Sequence, residues 1–479
     1  MFDVIIIGAG VIGSAVAWRL ARYNLKIAVV EKGDDVAAAT SKANSGIIHA
    51  GYDPEPGTLK AGLNVRGNTL YPGLCRELGV DYLACGSLVV AHEGQQQRLE
   101  MILQRGRQNG VKDLAVIGRD KLLDMEPNVS PEAISALYAP SAAVVSPYQL
   151  TVALAENAAL NGVEFLFNTR VDSVLVEEGR VAGVNCGETK LSAPIIVNAA
   201  GVYADRLAHM AGAERYDITP RKGEYLLLDK ELEGFVRQVL FPVPRGSSKG
   251  ILVVPTVEGN ILAGPTAWDV EDREDVATTP QGLAEIRDET PLLVSGVNWG
   301  RVIGSFAGLR AVADSDDFII RASARVGGWI DVGGIQSPGL ASAPAIAERV
   351  EHLVAGLKEL QLRKDHVAHR KDPRISQLDL ARRQQLIEKD SSFGRIVCRC
   401  EDVSEGEIVA ALKGPLPVSS LDALKRRTRA GTGRCQGGFC LPRLVAIISR
   451  EKGIPPHEVT KKGPGSPVVS AWLDKGWKQ

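Results

Sequence analysis

Residues 2–31 hold the feature that most constrains this chain. An apolar run, Phe2–Ile7, is broken by Gly8-Ala9-Gly10-Val11-Ile12-Gly13; a helically spaced segment to Tyr23 follows, then a second apolar run, Lys26–Glu31. Runs without polar alternation mark parallel strands covered on both faces, and a right-handed crossover sets two such strands side by side. Each glycine of the G-x-G-x-x-G spacing has its own task. Gly8 makes the tight turn, Gly10 admits a pyrophosphate close to the backbone, and Gly13 lets helix and strand pack closely. The helix start offers unpaired N–H groups and the positive end of its dipole to the diphosphate. Glu31, 18 residues after Gly13, stands where a carboxylate binds ribose hydroxyls. Its charge repels a 2′-phosphate, which leaves FAD or NAD rather than NADP.

The choice between them rests on two further segments. Thr40-Ser41-Lys42-Ala43-Asn44-Ser45-Gly46-Ile47-Ile48-His49-Ala50-Gly51 is a small, polar, glycine-rich loop able to wrap phosphate and ribityl oxygens. Gly333-Gly334-Ile335-Gln336-Ser337-Pro338-Gly339 is a second strand-to-helix junction, and it aims another helix N-terminus at an electron-rich group. Two helix dipoles converging on one cofactor suit a flavin, whose reduced ring is negative near N1 and O2. The chain carries 50 glycines in 479 residues, about a tenth, against a usual ~7%.

Length predicts roughly three domains at about 150 residues each. Lys+Arg 56 against Asp+Glu 57 leaves a net charge of -1, which excludes nucleic-acid binding driven by bulk charge. The run Val4–Trp18 follows Asp3 and has no basic flank, so it does not read as a secretion signal. No stretch reaches membrane-span length; a cytoplasmic chain is expected, with peripheral membrane association left open. Glu164–Phe167 and Val171–Asn185 read as strands of a meander, and Ala193–Ala200 as a buried strand ending at Gly201. Alternating patterns around 87–144 and 216–325 predict antiparallel sheet. The fold class expected is α/β: a Rossmann-like nucleotide domain (1–86, 145–215, 326–360) interleaved with an antiparallel-sheet substrate domain (87–144, 216–325). A linker, 361–394, holds eight Lys/Arg against four Asp/Glu between Arg363 and Lys389. A small, mainly helical four-cysteine domain, 395–479, follows it.

GAGVIG with VVEK, the NSGIIHAG loop, VNAAGVYAD (Val197–Asp205), FAGLR (Phe306–Arg310) and GGIQSPGL (Gly333–Leu340) fall in one order. In that order they resemble the FAD-dependent D-amino-acid-oxidase/glycerol-3-phosphate-dehydrogenase superfamily. The resemblance covers about residues 1–355. It implies FAD held by Gly8, Gly10, Val11, Ile12, Gly13, Glu31 and Lys32, then by Thr40, Ser41, Asn44, Ser45, Gly46 and Ile47. It also implies Val171 on the adenine side, Ala200 and Gly201 over the ribose, Gly308, and the junction residues Gly334, Ile335, Ser337, Pro338, Gly339 and Leu340. The form of the NSGIIHAG loop is most like L-2-hydroxyglutarate oxidases and anaerobic glycerol-3-phosphate dehydrogenases.

Seven cysteines divide by position. Cys75, Cys85 and Cys186 are scattered and read as structural, whereas Cys398-x-Cys400 and Cys435-x4-Cys440 lie 34 residues apart. Four thiolates fit zinc or a [2Fe–2S] cluster. The C-x-C pair is unusual for zinc, and glycines beside the second pair let amides point at inorganic sulfide. The segment resembles the bacterioferritin-associated-ferredoxin-like [2Fe–2S] module, from which the wider Cys435–Cys440 gap departs. Lys425, Arg426, Arg427, Arg429 and Arg434 are five cations without an acid from Leu424 to Arg434. They are expected either to offset the thiolate charge or to dock an acidic electron-transfer partner.

A substrate giving hydride to a flavin needs an anchor for its anionic group and a base for its proton. Arg310, a guanidinium that forks onto carboxylate or phosphate, is the expected anchor. His49 is the expected base, and Lys222 and Tyr225, with Arg221 beside them, are candidates for the substrate face. Oxidation of sn-glycerol 3-phosphate is the reading preferred, although Lys42 is the loop's lone cation. L-2-hydroxyglutarate or another 2-hydroxy acid, an amine or amino acid, and a non-catalytic electron-transfer subunit are the alternatives. A one-electron cluster implies stepwise export to an acceptor protein, such as a second flavoprotein or iron–sulfur subunit, or to a quinone chain.

Overall fold

The computed structural model describes residues 1–244, 250–368 and 373–469. The strands that place the site are β1 (Val4–Ile7), β2 (Ile27–Val30), β3 (Glu164–Leu166), β4 (Ile195–Asn198), β5 (Ile218–Leu228), β6 (Val302–Ala313), β7 (Ile319–Ala322) and β8 (Trp329–Gly333). The helices that matter are α1 (Val11–Leu20), α2 (Gly339–Ala355), α3 (Leu421–Thr428) and α4 (Leu441–Lys452).

A six-stranded sheet runs in the order β7-β8-β4-β1-β2-β3. Its four pairings from β8 to β3 are parallel, with Val4 opposite Ile195 on one side and Ile27 on the other. Both faces are covered, which is why β1 and β2 are unbroken Ile, Val and Ala and fully buried. Each such aliphatic side chain contributes about 1.5–3 kcal/mol on burial. Two sequence expectations change here. Glu164–Leu166 is the outer strand of this sheet, not part of a meander; the meander is Ser173–Glu177, Arg180–Cys186 and Thr189–Ser192. Ile319–Ala322, expected in the substrate domain, pairs antiparallel with β8 as the other edge.

Gly10 ends the turn between β1 and α1. Gly8 has φ +103, and a Cβ there would meet the Ala199 carbonyl oxygen at 2.6 Å. A Cβ on Gly13 would lie 1.9 Å from the Gly8 oxygen. No side chain fits either place, so the helix sits tight against the sheet for a backbone reason.

The second large sheet has nine strands, most of them antiparallel. At one end of it is the long β5–β6 pair, in which Arg221 faces Arg310, Gly223 faces Gly308, and Tyr225 faces Phe306. Buried apolar clusters line each face of both sheets.

A further cluster forms the C-terminal module, around a short hairpin (Ile396–Cys398, Val403–Ser404) and three helices. Ser404 and Glu407 cap the helix Glu405–Leu412 reciprocally, an arrangement typically worth about 1 kcal/mol. Among the described residues no helix is long and apolar enough to cross a membrane.

Candidate functional site

The two sheets meet at an open cleft. One end is the β1–α1 turn, where Gly10, Val11 and Ile12 line the wall. The Val11 N–H donates to Ser41 Oγ at 2.8 Å, tying the 40–47 loop to the helix start. Thr40, Ser41, Asn44, Ser45 and Ile47 line the cleft as well. Gly46, with φ +71, bends the loop behind them, held by Asn44 Oδ1 and paired to Val145. From the opposite side come Gly201 and the segment Ile335–Leu340. Ser337 and Pro338 form a turn in this segment, and α2 starts at Gly339.

Glu31 ends β2 with its carboxylate accepting from Ala9 N at 2.8 Å and Gly33 N at 2.7 Å. Burial raises its pKa, against the pull of those two amides. Gly8, Gly13, Gly334 and Ala200 shape the floor without lining the cleft, and Val171 packs beside Ala200 in the core below. Lys32 is a correction: its ammonium is engaged by Glu274 and lies over the Tyr203 ring, 4.1 Å from the centroid, and takes no part in the lining. Lys42 is another, lying outside the lining with the charges of Arg426, Asp422, Asp34 and Lys462 around it.

The far end of the cleft gathers His49, Tyr225, Gly308, Arg310, Ile335 and Gln336. His49 Nε2 is 3.4 Å from Ser337 Oγ, and its ring tilts against Phe241 at 5.5 Å. The His49 carbonyl accepts from the amides of Asn64 and Asn68, which fixes the backbone from behind. Tyr225 is buried, its hydroxyl 3.4 Å from Ser45 Oγ and its ring stacked on Phe306 at 4.8 Å. Burial raises the Tyr225 pKa, so it is a neutral phenol at neutral pH. Arg310 Nη2 donates to the Thr266 carbonyl at 2.6 Å, leaving the rest of the fork toward the cleft. Burial depresses its pKa, yet a guanidinium stays charged.

Lys222 is the third correction. Side chains of a strand alternate between faces, so three residues from Tyr225 it points to the opposite side of β5. There it is buried against Asp275 at 2.7 Å and Glu224 at 3.9 Å. Arg221 shares the Tyr225 face but is paired with Asp269 at 2.6 Å. Parity alone could have separated these residues. Gln336, Phe241, Pro265 and Ala267 were not foreseen, and only Gln336 lay within a motif already singled out.

The cysteines come together in pairs. Cys400 and Cys435 place their sulfurs 3.6 Å apart, and the thiols of Cys398 and Cys440 also meet. Among the described residues no three Cys, His, Asp or Glu side chains converge as on one ion. Two thiol pairs match the donor set of two irons, each holding two thiolates. The N–H groups of Phe439, Gly437 and Gly438 point at Cys435 and hold its thiol below the ordinary range. The glycine-rich loop therefore fits an anionic cluster as well as spacing implied. Cys75, Cys85 and Cys186 are far from this group in sequence, with Cys75 and Cys186 buried in the cores.

Most of the basic run is spent on carboxylates; Lys425 lies among the charges of Lys461, Asp422, Arg429 and the Cys440 thiol. Arg426 and Arg427 are buried and direct four N–H groups at Asp35, at 2.8–3.1 Å, and Arg427 also binds Glu156 at 3.1 Å. Arg429 reaches Glu401 at 2.9 Å, Glu258 at 3.2 Å and Tyr148 at 2.6 Å. Arg434 pairs with Asp229 and Glu231. These cations bind the module to the rest of the chain, and α3 lies on the loop that follows Glu31.

Comparison with known proteins agrees with this arrangement. A family described as FAD dependent oxidoreductase matches residues 3–353, and a BFD-like [2Fe-2S] binding domain matches residues 396–450. A glycerol 3-phosphate dehydrogenase of Caloramator mitchellensis is 43% identical, with 98% of each chain aligned. A glycerol 3-phosphate oxidase of Mycoplasma pneumoniae is 35% identical over 74% of this chain and 94% of its own. The structure of a dithionite-reduced L-alpha-glycerophosphate oxidase of that organism, with FAD bound, has a TM-score of 0.74 at 33% identity. That match covers 78% of this chain and 99% of the other.

Proposed function

From the premise that this chain belongs to the FAD-dependent oxidoreductase family, we propose that it is a glycerol-3-phosphate dehydrogenase, oxidising sn-glycerol 3-phosphate to dihydroxyacetone phosphate. One observation carries the reading: likeness to a glycerol 3-phosphate dehydrogenase runs through 98% of the chain, cysteine module included. The oxidase likeness, by contrast, is confined to 74% of it.

When bound, FAD supplies the hydride acceptor and the [2Fe–2S] group a one-electron carrier. The rest is done by side chains. Arg310, with one N–H already spent on Thr266, offers its remaining donors to the phosphate of the substrate. His49, the imidazole of the cleft, takes the proton of the secondary hydroxyl. Ser337 and the Asn64–Asn68 pair keep it in place from two sides. Tyr225 and Ile335 close the wall and exclude water from the reacting carbon. Residues 40–47, Glu31 and the 335–340 segment hold the cofactor, and a reducing cytosol suits its four thiolate ligands. Electrons leave singly, to a partner protein or a quinone chain.

Anaerobic mixing with glycerol 3-phosphate is expected to bleach the flavin band within a turnover. Bleaching by L-2-hydroxyglutarate with none by glycerol 3-phosphate would transfer the reading to a 2-hydroxy-acid dehydrogenase.

A further inference from the structure

Cations tied up inside the molecule cannot receive a partner, whereas the outer side of the cysteine site presents a surface that can. Phe439 stands 83% exposed between Gly438 and the ligand Cys440, while its own N–H faces Cys435. Leu441 (38% exposed) and Pro442 extend the apolar spot along the first turn of α4. Buried aromatics are ordinary and lone exposed aliphatics need no account. A phenylalanine ring held in water one residue from a redox ligand is different.

Two exposed arginines belong to the same cysteine-bearing segments. Arg399, between Cys398 and Cys400, and Arg443, on α4, are both exposed, and neither has a carboxylate partner among the described residues. Arg443 donates to the Ile396 carbonyl at 3.4 Å, which brings the α4 side and the Cys398–Cys400 hairpin together. Nearby Glu405 is already shared by Arg395 and Arg450, and Glu451 also by Arg450. The unspent charge of this face is therefore positive.

We infer that Phe439, with Arg399 and Arg443 of the same cysteine-bearing segments, is the docking point of a small acidic one-electron carrier protein. The inference rests on the proposed function, which requires such an exit. An apolar centre with a charged rim is the ordinary build of a transient protein contact, and opposite charge steers the encounter. A lipid surface is disfavoured because one ring and one leucine are far less than the apolar face an interfacial helix buries. The balance is simple. The secondary alcohol gives up two electrons and two protons, one from its C–H and one from its hydroxyl; the protons pass to solvent, and two carriers each take up one electron.

The test uses the FAD- and cluster-loaded full chain with rubredoxin, an acidic carrier, and cytochrome c, a basic one. Rubredoxin is expected to bind and be reduced at low salt, with the rate falling steeply as salt rises. Arg399→Glu and Arg443→Glu should each weaken rubredoxin binding, read by titration, at least tenfold. Flavin bleaching by glycerol 3-phosphate and the iron and sulfide content should stay unchanged. Phe439→Ser should weaken binding similarly and Phe439→Leu should restore most of it. Should Phe439→Ser lose the cluster, the two arginine variants decide.

Wild-type rubredoxin affinity in both arginine variants would overturn the proposal. So would preference for cytochrome c, or Phe439-dependent binding to phosphatidylglycerol vesicles without rubredoxin binding. Absence of flavin bleaching in the unaltered protein would instead sink the substrate reading, while the titration still decides the docking surface.

Discussion

In the flavin cleft the decisive contacts are made by backbone. Gly8 and Gly13 leave no room for a Cβ, the Val11 N–H meets Ser41, and Glu31 is fixed by two amides. In the cysteine module they are made by side chains: four thiols in two pairs, then guanidiniums reaching across to Asp35, Glu156, Glu258 and Glu401. A site built from backbone is written locally and tolerates little. A site built from long side chains is assembled from distant parts of the chain, and its members can be exchanged one at a time.

The sharpest way to break this contrast is at Gly13. A methyl group 1.9 Å from the Gly8 oxygen must displace helix or strand, so Gly13→Val is expected to give colourless protein without the flavin band at 450 nm. Retention of FAD by that variant would show the backbone cradle to be far softer than described.

Next is the clamp. Arg427→Ala leaves Asp35 buried with only Arg426, and breaking a buried pair costs about 3–5 kcal/mol. The module should then be released by limited proteolysis within 361–394 at protease levels that spare the parent. Burial alone would raise the Asp35 pKa, but Arg427 and Arg426 hold it below the ordinary value. A depressed carboxyl pKa contributes stability above its unfolded value, roughly 3.9, and loses it as pH falls through the folded value. Docking should therefore be flat from pH 5 to 9 on the order of experimental error, and loosen only on strong acidification.

A one-at-a-time exchange is Cys435→Ser. Iron and sulfide content should fall while anaerobic flavin reduction by substrate persists, which separates the two sites functionally. Loss of flavin reduction as well would join them. Arg310→Lys comes after that: a point charge replaces a fork, and a charged hydrogen bond of about 1.5–3 kcal/mol is forfeited. The expected outcome is KM raised about tenfold to a hundredfold, with the 450 nm spectrum of the oxidised protein unchanged. The smallest effect is reserved for Lys222→Met, on the far face of β5. It should lower the melting temperature through Asp275 and Glu224, and leave the rate of flavin bleaching within about twofold.

Legibility in the sequence followed the same division. The β1–α1 turn, Glu31, the 40–47 loop and the 335–340 junction were readable because each is a short word whose chemistry is its own. The Cys398–Cys440 set was readable for its clustering. Lys222 misled because a residue name was weighed without its strand parity. The arginines of α3 misled for a deeper reason: a run of cations shows its charge but not its carboxylates, which here lie some 270 to 390 residues away, at Glu156 and Asp35. The outer strand β3 was misplaced because three residues pair by topology, not by pattern.

Asp35 lies near the start of the chain, and its guanidinium partners lie near the end. During synthesis the dinucleotide half is complete long before α3 exists, and until then a carboxylate meant to be buried stays solvated. The carboxylate at the N-terminal end thus has its neutralising partners only once α3 has been made, and the cofactor half of the chain owes the burial of one of its own charges to the cysteine-bearing half.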